Sequence, residues 1–498
     1  MTSGAVSFEL LETTVAGIQD ALRTGAITAR QLVQQYQDRI AAFDKQGPSL
    51  NSIITLNPEA LADAERLDAV LRSSGPVGPL HGVPVILKDQ IDAAGMPTTL
   101  GSVLFRDFRP DRDAFVVEKL KQAGAIILAK ATLGELGQGD THGSLFGSTR
   151  NPYDLERTVG GSSGGPAAAI CANFGAIAVG QEALASIRRP AAWNAIVGMR
   201  PTAGLVSRTG VYAGWPGRNA SLGPLTRTVE DAALLLDVLT GYDAEDPLTA
   251  LGVGKAPGSF TAFLDKDGLK GARIGVLRES MGSGSEPESQ DFAKVDRVFH
   301  RAVQEIAATG ANVVDDIVIP GLKELLAKRG GGGNAEEAWE VYFGRNAKRP
   351  YKTQADMLHS PDYDKVVKRV SLGNRAASTA QEYYEAREEL MVRYLKVMAD
   401  LGLDAIVYKS AEHQPTFIRD ALQPPYVNIK GATHLNTFLI YVPAISVPAG
   451  YNADRLPVGI TFTGRPFSDG LMIKMAYAYE QATLHRRPPA TTPSLGAK

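Results

Sequence analysis

The chain has 498 residues, which is enough for two to three domains or for one large domain. Its composition is that of a globular protein, with 44% hydrophobic and 21% charged residues. A formal net charge of -2 gives no electrostatic footprint for nucleic acid or for an anionic membrane.

The single cysteine, Cys171, excludes an internal disulfide and a cysteine-based metal site. The first residues lack the basic segment and apolar run of a signal peptide. No stretch approaches the roughly 18 apolar residues that span a bilayer. We therefore expect a soluble, cytoplasmic protein that binds neither nucleic acid nor membrane.

Helix and strand patterns alternate along the chain. Apolar residues at helical spacing predict two helices within 14–45, with Thr28 as the N-cap of the second. GVPVILKD predicts a buried strand, and DAFVVEKLKQAGAIILAK predicts a helix, a glycine turn and a strand over Ala125–Ala129. In the middle of the chain GARIGVLRES and GANVVDDIVI predict strands on either side of the helix FAKVDRVFHRAVQEIAATG.

The last third of the chain continues the alternation. TAQEYYEAREELMVRYLKVMADLG predicts a long helix, and DAIVY, VPAISVPAG and PVGITFTG predict strands before the final helix DGLMIKMAYAYEQAT. Four consecutive glycines at 330–333 lack the preceding strand and the GK[ST] ending of a phosphate-binding loop, so they predict a surface loop. The alternation argues for an α/β fold, and no Pro/Ser-rich linker divides the chain.

Two adjacent serines, Ser162 and Ser163, lie in the glycine-rich stretch GGSSGGPAAAICA. Such a cluster is an ordinary turn unless other features accompany it. Here Pro166 suits the first turn of a helix, and a helix N-terminus favours developing negative charge. The following AAAICANFGAIAVG is typical of a helix buried against a sheet, and Ser186 emerges beside that unit. These features favour a functional loop.

A serine nucleophile needs a base. The histidines are scattered, without paired spacing, which argues against both a histidine base and a histidine metal site: they lie at 81, 142, 300, 359, 413, 434 and 485. Lys88 ends an apolar run, and burial would lower its pKa and allow the neutral amine to accept a proton. A strand-end lysine paired with Asp89 in water fits the same stretch equally well.

Together these segments resemble the amidase signature family, serine amidohydrolases with a Ser–cis-Ser–Lys triad. The resemblance covers 1–265 and 430–485 and is carried by LHGVPVILKDQID, GGSSGG, GQEALASIR, GMRPTAGLVSRTG, SLGPLTRTVEDAALLL and AISVPAGYNADRLPVGITFTG. It implies one α/β/α domain over 1–498, built on a large, twisted, mixed sheet flanked by helices. We divide it into N-terminal helices (1–75), the signature core (76–265), a variable segment that forms pocket walls (266–430) and a return to the core (431–485).

The resemblance also assigns roles. It implies that Ser186 is the nucleophile, that Ser162 bridges through a cis Gly161–Ser162 peptide, and that Lys88 is the base. It places the oxyanion hole and substrate-binding groups at Ala183, Leu184, Ala185, the Ser186 amide and Ser163. It implies neither a cofactor nor a metal.

The sequence departs from the family immediately before the proposed nucleophile. The usual Asp-x-Gly-Gly-Ser is here Glu182-Ala183-Leu184-Ala185-Ser186. Backbone amides survive a change of side chain, so the oxyanion hole can persist. The backbone must then suit residues that carry a Cβ, and Leu184 adds bulk and apolar surface to the site.

The resemblance predicts a stand-alone amidase, a monomer or homodimer, that cleaves a carboxamide, anilide or carbamate through an acyl-enzyme. Esterase activity is expected beside it, because esters have better leaving groups. Two alternatives remain: the amidase subunit of a tRNA-dependent amidotransferase complex, and a catalytically inactive binding protein on the same fold.

Overall fold

The computed structural model describes residues 8–214, 219–329, 335–367 and 379–495. The glycine loop predicted at 330–333 lies outside these residues. Within them, no helix is long and apolar enough to cross a membrane. The helices are α1 (Val15–Thr24), α2 (Ala29–Arg39), α3 (Ala60–Ser74), α4 (Phe115–Gln122), α5 (Gly164–Cys171), α6 (Arg188–Trp193), α7 (Val229–Leu239), α8 (Gln290–Ala308), α9 (Leu322–Ala327), α10 (Ala335–Phe343), α11 (Gln354–Leu358), α12 (Ala380–Asp400), α13 (Ile418–Leu422), α14 (Leu435–Phe438) and α15 (Asp469–Thr483).

The strands are β1 (Ile53–Leu56), β2 (Pro84–Lys88), β3 (Ile126–Ala131), β4 (His142–Gly143), β5 (Gly147–Ser148), β6 (Arg150–Asn151), β7 (Asp154–Thr158), β8 (Ile177–Glu182), β9 (Val197–Arg200), β10 (Ser221–Thr226), β11 (Arg273–Val276), β12 (Gly282–Ser283), β13 (Asn312–Val314), β14 (Ala405–Lys409), β15 (Ala432–Thr433), β16 (Ala444–Tyr451) and β17 (Pro457–Thr463). In the described chain, eleven of them form one mixed sheet in the order β1-β3-β2-β8-β10-β9-β16-β17-β14-β11-β13. Helices pack on this sheet, which confirms the predicted α/β fold.

The parallel strands β3, β2 and β8 form the part of the sheet that carries the candidate site. Every residue of β2, β3 and β8 is buried, as expected where helices cover both faces of parallel strands. Every residue of α5 is buried too, and this helix packs against β2 and β8. A Cβ added to Gly165 would fall 2.2 Å from the carbonyl oxygen of Thr132, so α5 can approach this closely only with glycine there.

Of two element ends predicted from the sequence, the start of α2 is confirmed and the end of β13 is wrong. Thr28 caps α2, where its hydroxyl accepts a hydrogen bond from the Gln31 amide. GANVVDDIVI was predicted to be one strand, but β13 ends at Val314. Asp315 instead pairs with Arg278 at 2.7 Å, and Asp316 takes a left-handed φ of 55°. An exposed charge and a left-handed residue end the strand early.

The segment 266–430 contributes strands to the sheet and aromatic side chains that pack against the core segment. It supplies β11, β13 and β14, which form one edge of the sheet. Its helix α10 supplies Trp339 and Phe343, whose rings pack against each other with centroids 4.4 Å apart. Phe343 also stacks on Phe105, at 5.7 Å, from the core segment.

Candidate active site

The candidate site lies where two neighbouring parallel strands end. β2 and β8 run parallel, with Leu87 opposite Val179. The carboxyl ends of parallel strands meet at one edge of a sheet, which is where α/β folds bind their ligands. Lys88 at the end of β2 therefore comes close to Gln181 and Glu182 at the end of β8.

Lys88 meets Ser162 at this edge. The Nζ atom of Lys88 lies 2.8 Å from Oγ of Ser162, and the two residues are 0% and 1% exposed. The Gly161–Ser162 peptide is cis, as the resemblance implies. Asp89 lies 3.4 Å from Nζ of Lys130 on β3. The hypothesis that Lys88 pairs with Asp89 in water is thus wrong, because strand pairing draws the lysine fully inside.

Burial sets the protonation of Lys88. Removal from water lowers the pKa of Lys88 well below its ordinary value, and the nearby carboxylate of Glu182 opposes this shift. A buried ammonium without an adjacent counter-ion is unfavourable, so the amine loses its proton at a lower pH than in water. The neutral amine is the form that can accept a proton from Ser162.

Gly161 fixes the approach of the serine loop to its neighbour. A Cβ added to Gly161 would fall 2.1 Å from the carbonyl oxygen of Gly139. The amide of Gly134 donates to the carbonyl of Ser162 at 3.0 Å. The loop over 134–139 therefore clamps the backbone on both sides of the cis peptide.

Ser163 ties the serine loop to Ser186. Its amide donates to the carbonyl of Ser186 at 3.0 Å, which brings Ser186 beside the Ser162–Ser163 pair. Its hydroxyl donates to the carbonyl of Gln181 and accepts from the Gln181 amide, at 3.0 and 3.2 Å. Ser163 is fully buried, whereas Ser186 is half-buried. The described contacts of Ser163 are with protein backbone, and its contact with a substrate stays a prediction.

Glu182 braces the loop that carries Ser186. One carboxylate oxygen accepts from the amides of Ile187 and Arg188, at 2.9 and 3.1 Å. The other accepts from Nε of Arg188 at 2.8 Å and lies 3.6 Å from Nε of Arg200. The sequence analysis noted Glu182 only as a departure from the family pattern. An acidic residue four positions before a serine, with an arginine two after it, is the signal that could have revealed this brace.

The loop from Ala183 to Ser186 can serve as an oxyanion hole without glycine. Ala183, Leu184 and Ala185 all lie outside the left-handed region of φ, so a Cβ fits at each position. Among the described residues, the amides of Leu184, Ala185 and Ser186 donate to no protein acceptor. The carbonyl of Leu184 accepts from Arg188 at 2.7 Å, which holds the loop in place.

The histidines nearest in sequence lie in other contacts. His81 precedes β2, at the opposite end of the strand from Lys88, and its Nδ1 accepts from the Val77 amide at 3.0 Å. Nδ1 of His142 lies 2.8 Å from Oγ of Ser148. The lysine base, rather than a histidine base, stays a prediction.

Comparisons with known proteins show which family this chain belongs to. The profile of the family described as Amidase matches residues 31–473. The solved peptide amidase from Stenotrophomonas maltophilia is 33% identical, with 97% of this chain and 99% of that chain covered and a TM-score of 0.82. The A subunit of glutamyl-tRNA(Gln) amidotransferase from Cyanothece sp. is 33% identical over 90% of this chain and 94% of its own.

A further solved structure is that of the corresponding A subunit from Thermotoga maritima. It is 27% identical, covers 96% of both chains and has a TM-score of 0.72. The family profile spans most of the described chain, and Lys88, Ser162 and Ser186 lie within the matched range. The chain therefore belongs to the Amidase family, the amidase signature enzymes, and is an enzyme that acts on carbon–nitrogen bonds.

Proposed function

We propose that this enzyme is a stand-alone amidase, which hydrolyses a linear carboxamide, anilide or carbamate through an acyl-enzyme on Ser186. The observation that carries the proposal is the fully buried contact of 2.8 Å between Lys88 and Ser162, beside the half-buried Ser186. A buried neutral amine next to a serine is a base, and a partly accessible serine is the group that a substrate can reach.

The proposed reaction begins with two linked proton transfers. Nζ of Lys88 takes the hydroxyl proton of Ser162, and Oγ of Ser162 takes the proton of Ser186. Oγ of Ser186 then forms a bond to the carbonyl carbon, and the amides of the Ala183–Ser186 loop stabilise the oxyanion. The C–N bond breaks as the protons return along the same path to the leaving nitrogen. Water enters and repeats the sequence, which releases the acid and frees Ser186.

A screen of the purified protein tests this proposal. The panel contains carboxamides, anilides, carbamates and esters of the same acyl groups, and release of amine or alcohol is measured. We expect turnover of amides and of the matched esters. A fluorophosphonate should label Ser186, as found by mass spectrometry of the modified peptide. Absence of both turnover and labelling would favour the inactive binding protein.

A subunit of an amidotransferase complex is the second candidate, because the Cyanothece relative is such a subunit. The higher TM-score of 0.82 to the peptide amidase, against 0.72 to the Thermotoga maritima subunit, favours the stand-alone enzyme. Affinity purification from the native organism distinguishes the two. A stand-alone amidase elutes alone or as a homodimer and uses water as its acceptor, whereas a subunit retains partner chains and needs them for amide turnover.

The pH dependence of kcat/KM should rise from acid to alkaline pH through the titration of Lys88. Only neutral Lys88 accepts a proton, and burial lowers the pKa at which it becomes neutral. His81→Asn and His142→Asn serve as controls, because the Asn oxygen can replace the Nδ1 atom in each contact. We expect both variants to keep the acidic limb. Loss of that limb in either variant would place a histidine in the mechanism.

Leu184→Gly should change the choice of substrate more than the chemistry. Leu184 is half-buried beside Ser186, and its backbone, not its side chain, would face the oxyanion. We expect weaker discrimination against bulky acyl groups and weaker binding of small apolar ones, by about 1–3 kcal/mol for a lost hydrophobic contact. The measurement is kcat/KM for p-nitroanilides of increasing acyl size.

Leu184→Ala separates the two effects of that change. It removes most of the side chain but keeps the Cβ that restricts the backbone. We expect the alanine variant to shift the acyl-size preference in the same direction as the glycine variant. An equal fall across the whole series, found only with glycine, would mean that Leu184 shapes the loop and selects nothing.

A further inference from the structure

Lys88 has two further oxygen neighbours besides Ser162. Its Nζ atom lies 3.2 Å from the backbone carbonyl oxygen of Gln181 and 3.5 Å from the side-chain oxygen Oε1 of the same residue. Gln181 is 3% exposed, so these contacts are made away from water. One residue thus supplies two acceptors to the amine.

The number of hydrogens on the amine gives these contacts their meaning. A lysine ammonium has three donors and no acceptor, whereas a neutral amine has two donors and one lone pair. When the amine is neutral, its two N–H groups can donate to the two oxygens of Gln181, which leaves the lone pair for the hydroxyl of Ser162. We propose that Gln181 is a positioning residue, which orients the neutral amine of Lys88 so that it accepts the proton of Ser162. This inference rests on the proposed function and deepens it.

The backbone of Gln181 is held in place independently of Lys88. In the sheet Gln181 pairs with Leu222 on β10, and its amide and carbonyl both bind the hydroxyl of Ser163. In the described part of the chain, the one hydrogen-bond partner of Oε1 is Nζ of Lys88. The backbone contact is therefore built into the fold, and the side chain adds an acceptor directed at the base.

The charged groups on the neighbouring strands are paired with each other and not with Lys88. Glu182 on β8 is neutralised by Arg188 and Arg200. Asp89, directly after β2, forms an ion pair with Lys130 on β3, so the negative charge of one offsets the positive charge of the other. Against this balanced background, a charge placed at Gln181 itself would act on Lys88 directly.

The experiment compares Gln181→Glu and Gln181→Met with the unaltered enzyme. The readout is the second-order rate of Ser186 labelling by a fluorophosphonate between pH 5 and about 10, with kcat/KM on a p-nitrophenyl ester beside it. A carboxylate this close favours the ammonium, so Gln181→Glu should move the acidic limb up by about one pH unit or more. Gln181→Met keeps the side-chain length but loses the acceptor, and should lower the alkaline plateau by about tenfold or more, in the range typical of lost proton-transfer geometry.

Gln423→Glu is the matched control, since Gln423 is exposed and the change adds the same charge elsewhere. It should leave both readouts unchanged, and thermal melting establishes that each variant is folded. An unmoved acidic limb in Gln181→Glu, or a wild-type plateau in Gln181→Met, would overturn the inference. If neither variant folds, Gln181→Ala, which is smaller and has no side-chain acceptor, takes their place, and a wild-type plateau there overturns the inference equally.

Lys88→Met separates a failure of this inference from a failure of the proposed function. If Lys88→Met is inactive while the Gln181 variants behave as the unaltered enzyme, the proposed base stands and the role of Gln181 is wrong. If Lys88→Met keeps wild-type activity, the proposed function itself fails, whatever the Gln181 variants do.

Discussion

Replacing Ser186 by alanine should abolish turnover and leave the fold intact. Without Oγ of Ser186 no acyl-enzyme forms, and Ser162, which is 1% exposed, cannot be reached by a substrate in its place. We expect kcat/KM to fall by about 10⁴-fold or more, the scale on which a catalytic nucleophile is lost. The measurement is turnover of the best ester and amide from the screen, together with fluorophosphonate labelling.

The melting temperature of Ser186→Ala should stay close to that of the unaltered protein. The described hydrogen bond that Ser186 makes to Ser163 uses its backbone carbonyl, which alanine retains. Ser73→Ala, a change to an exposed serine at the end of α3, is the control for the assay. Labelling of Ser186→Ala at the rate of the control would show that another serine is the nucleophile.

Replacing Lys88 by methionine should lower kcat/KM almost as much as replacing Ser186 by alanine. Methionine keeps the length of the side chain in a fully buried position but has no lone pair on nitrogen to take the proton of Ser162. We expect kcat/KM to fall by about 10³-fold or more on amides. The fall should be smaller for activated esters, because their leaving groups need no proton.

Stability provides an independent readout for Lys88→Met. No carboxylate of the residues that the structure describes bonds directly to the buried lysine, so its removal breaks no ion pair among them and takes a polar group out of the interior. The melting temperature should therefore be unchanged or higher. A marked loss of stability together with the loss of activity would mean that Lys88 holds the site together rather than acting as its base.

Much of this architecture was readable from local patterns. The apolar run before Lys88 predicted a buried strand because parallel strands are covered on both faces. The alanine-rich run after Ser163 predicted a buried helix because a helix that is apolar on all sides packs inside a protein, and α5 is buried at every residue. Such patterns indicate whether a few consecutive residues are buried. The prediction holds for β2 and α5 because every residue of both elements is buried.

The sequence could not show contacts that depend on which strands become neighbours. The sequence predicts no role for Gln181 in the GQEALASIR segment. Its contact with Lys88 arises from the parallel pairing of β2 with β8, which no local pattern indicates. In the same way β11 and β14 were recognised as strands, but no local pattern indicated that they extend the same sheet. The hydrogen-bonded partner of a strand is fixed by the whole chain, not by its own residues.

The burial of Lys88 and Ser162 has a consequence for proton exchange between the active site and solvent. Both groups lie out of contact with water, and Ser186 is the half-buried member through which the relay meets the substrate. In the proposed reaction, the proton of Ser186 passes through Ser162 to the leaving nitrogen and does not enter the bulk solvent. Turnover would then be insensitive to the concentration of buffer, since the leaving nitrogen receives its proton from Ser162 and not from a dissolved acid. Small added amines would not reach the buried position of a missing Lys88. Each cycle would then pass one proton from Ser186 to the departing amine, and the water that releases the acid would supply the proton that restores Ser186.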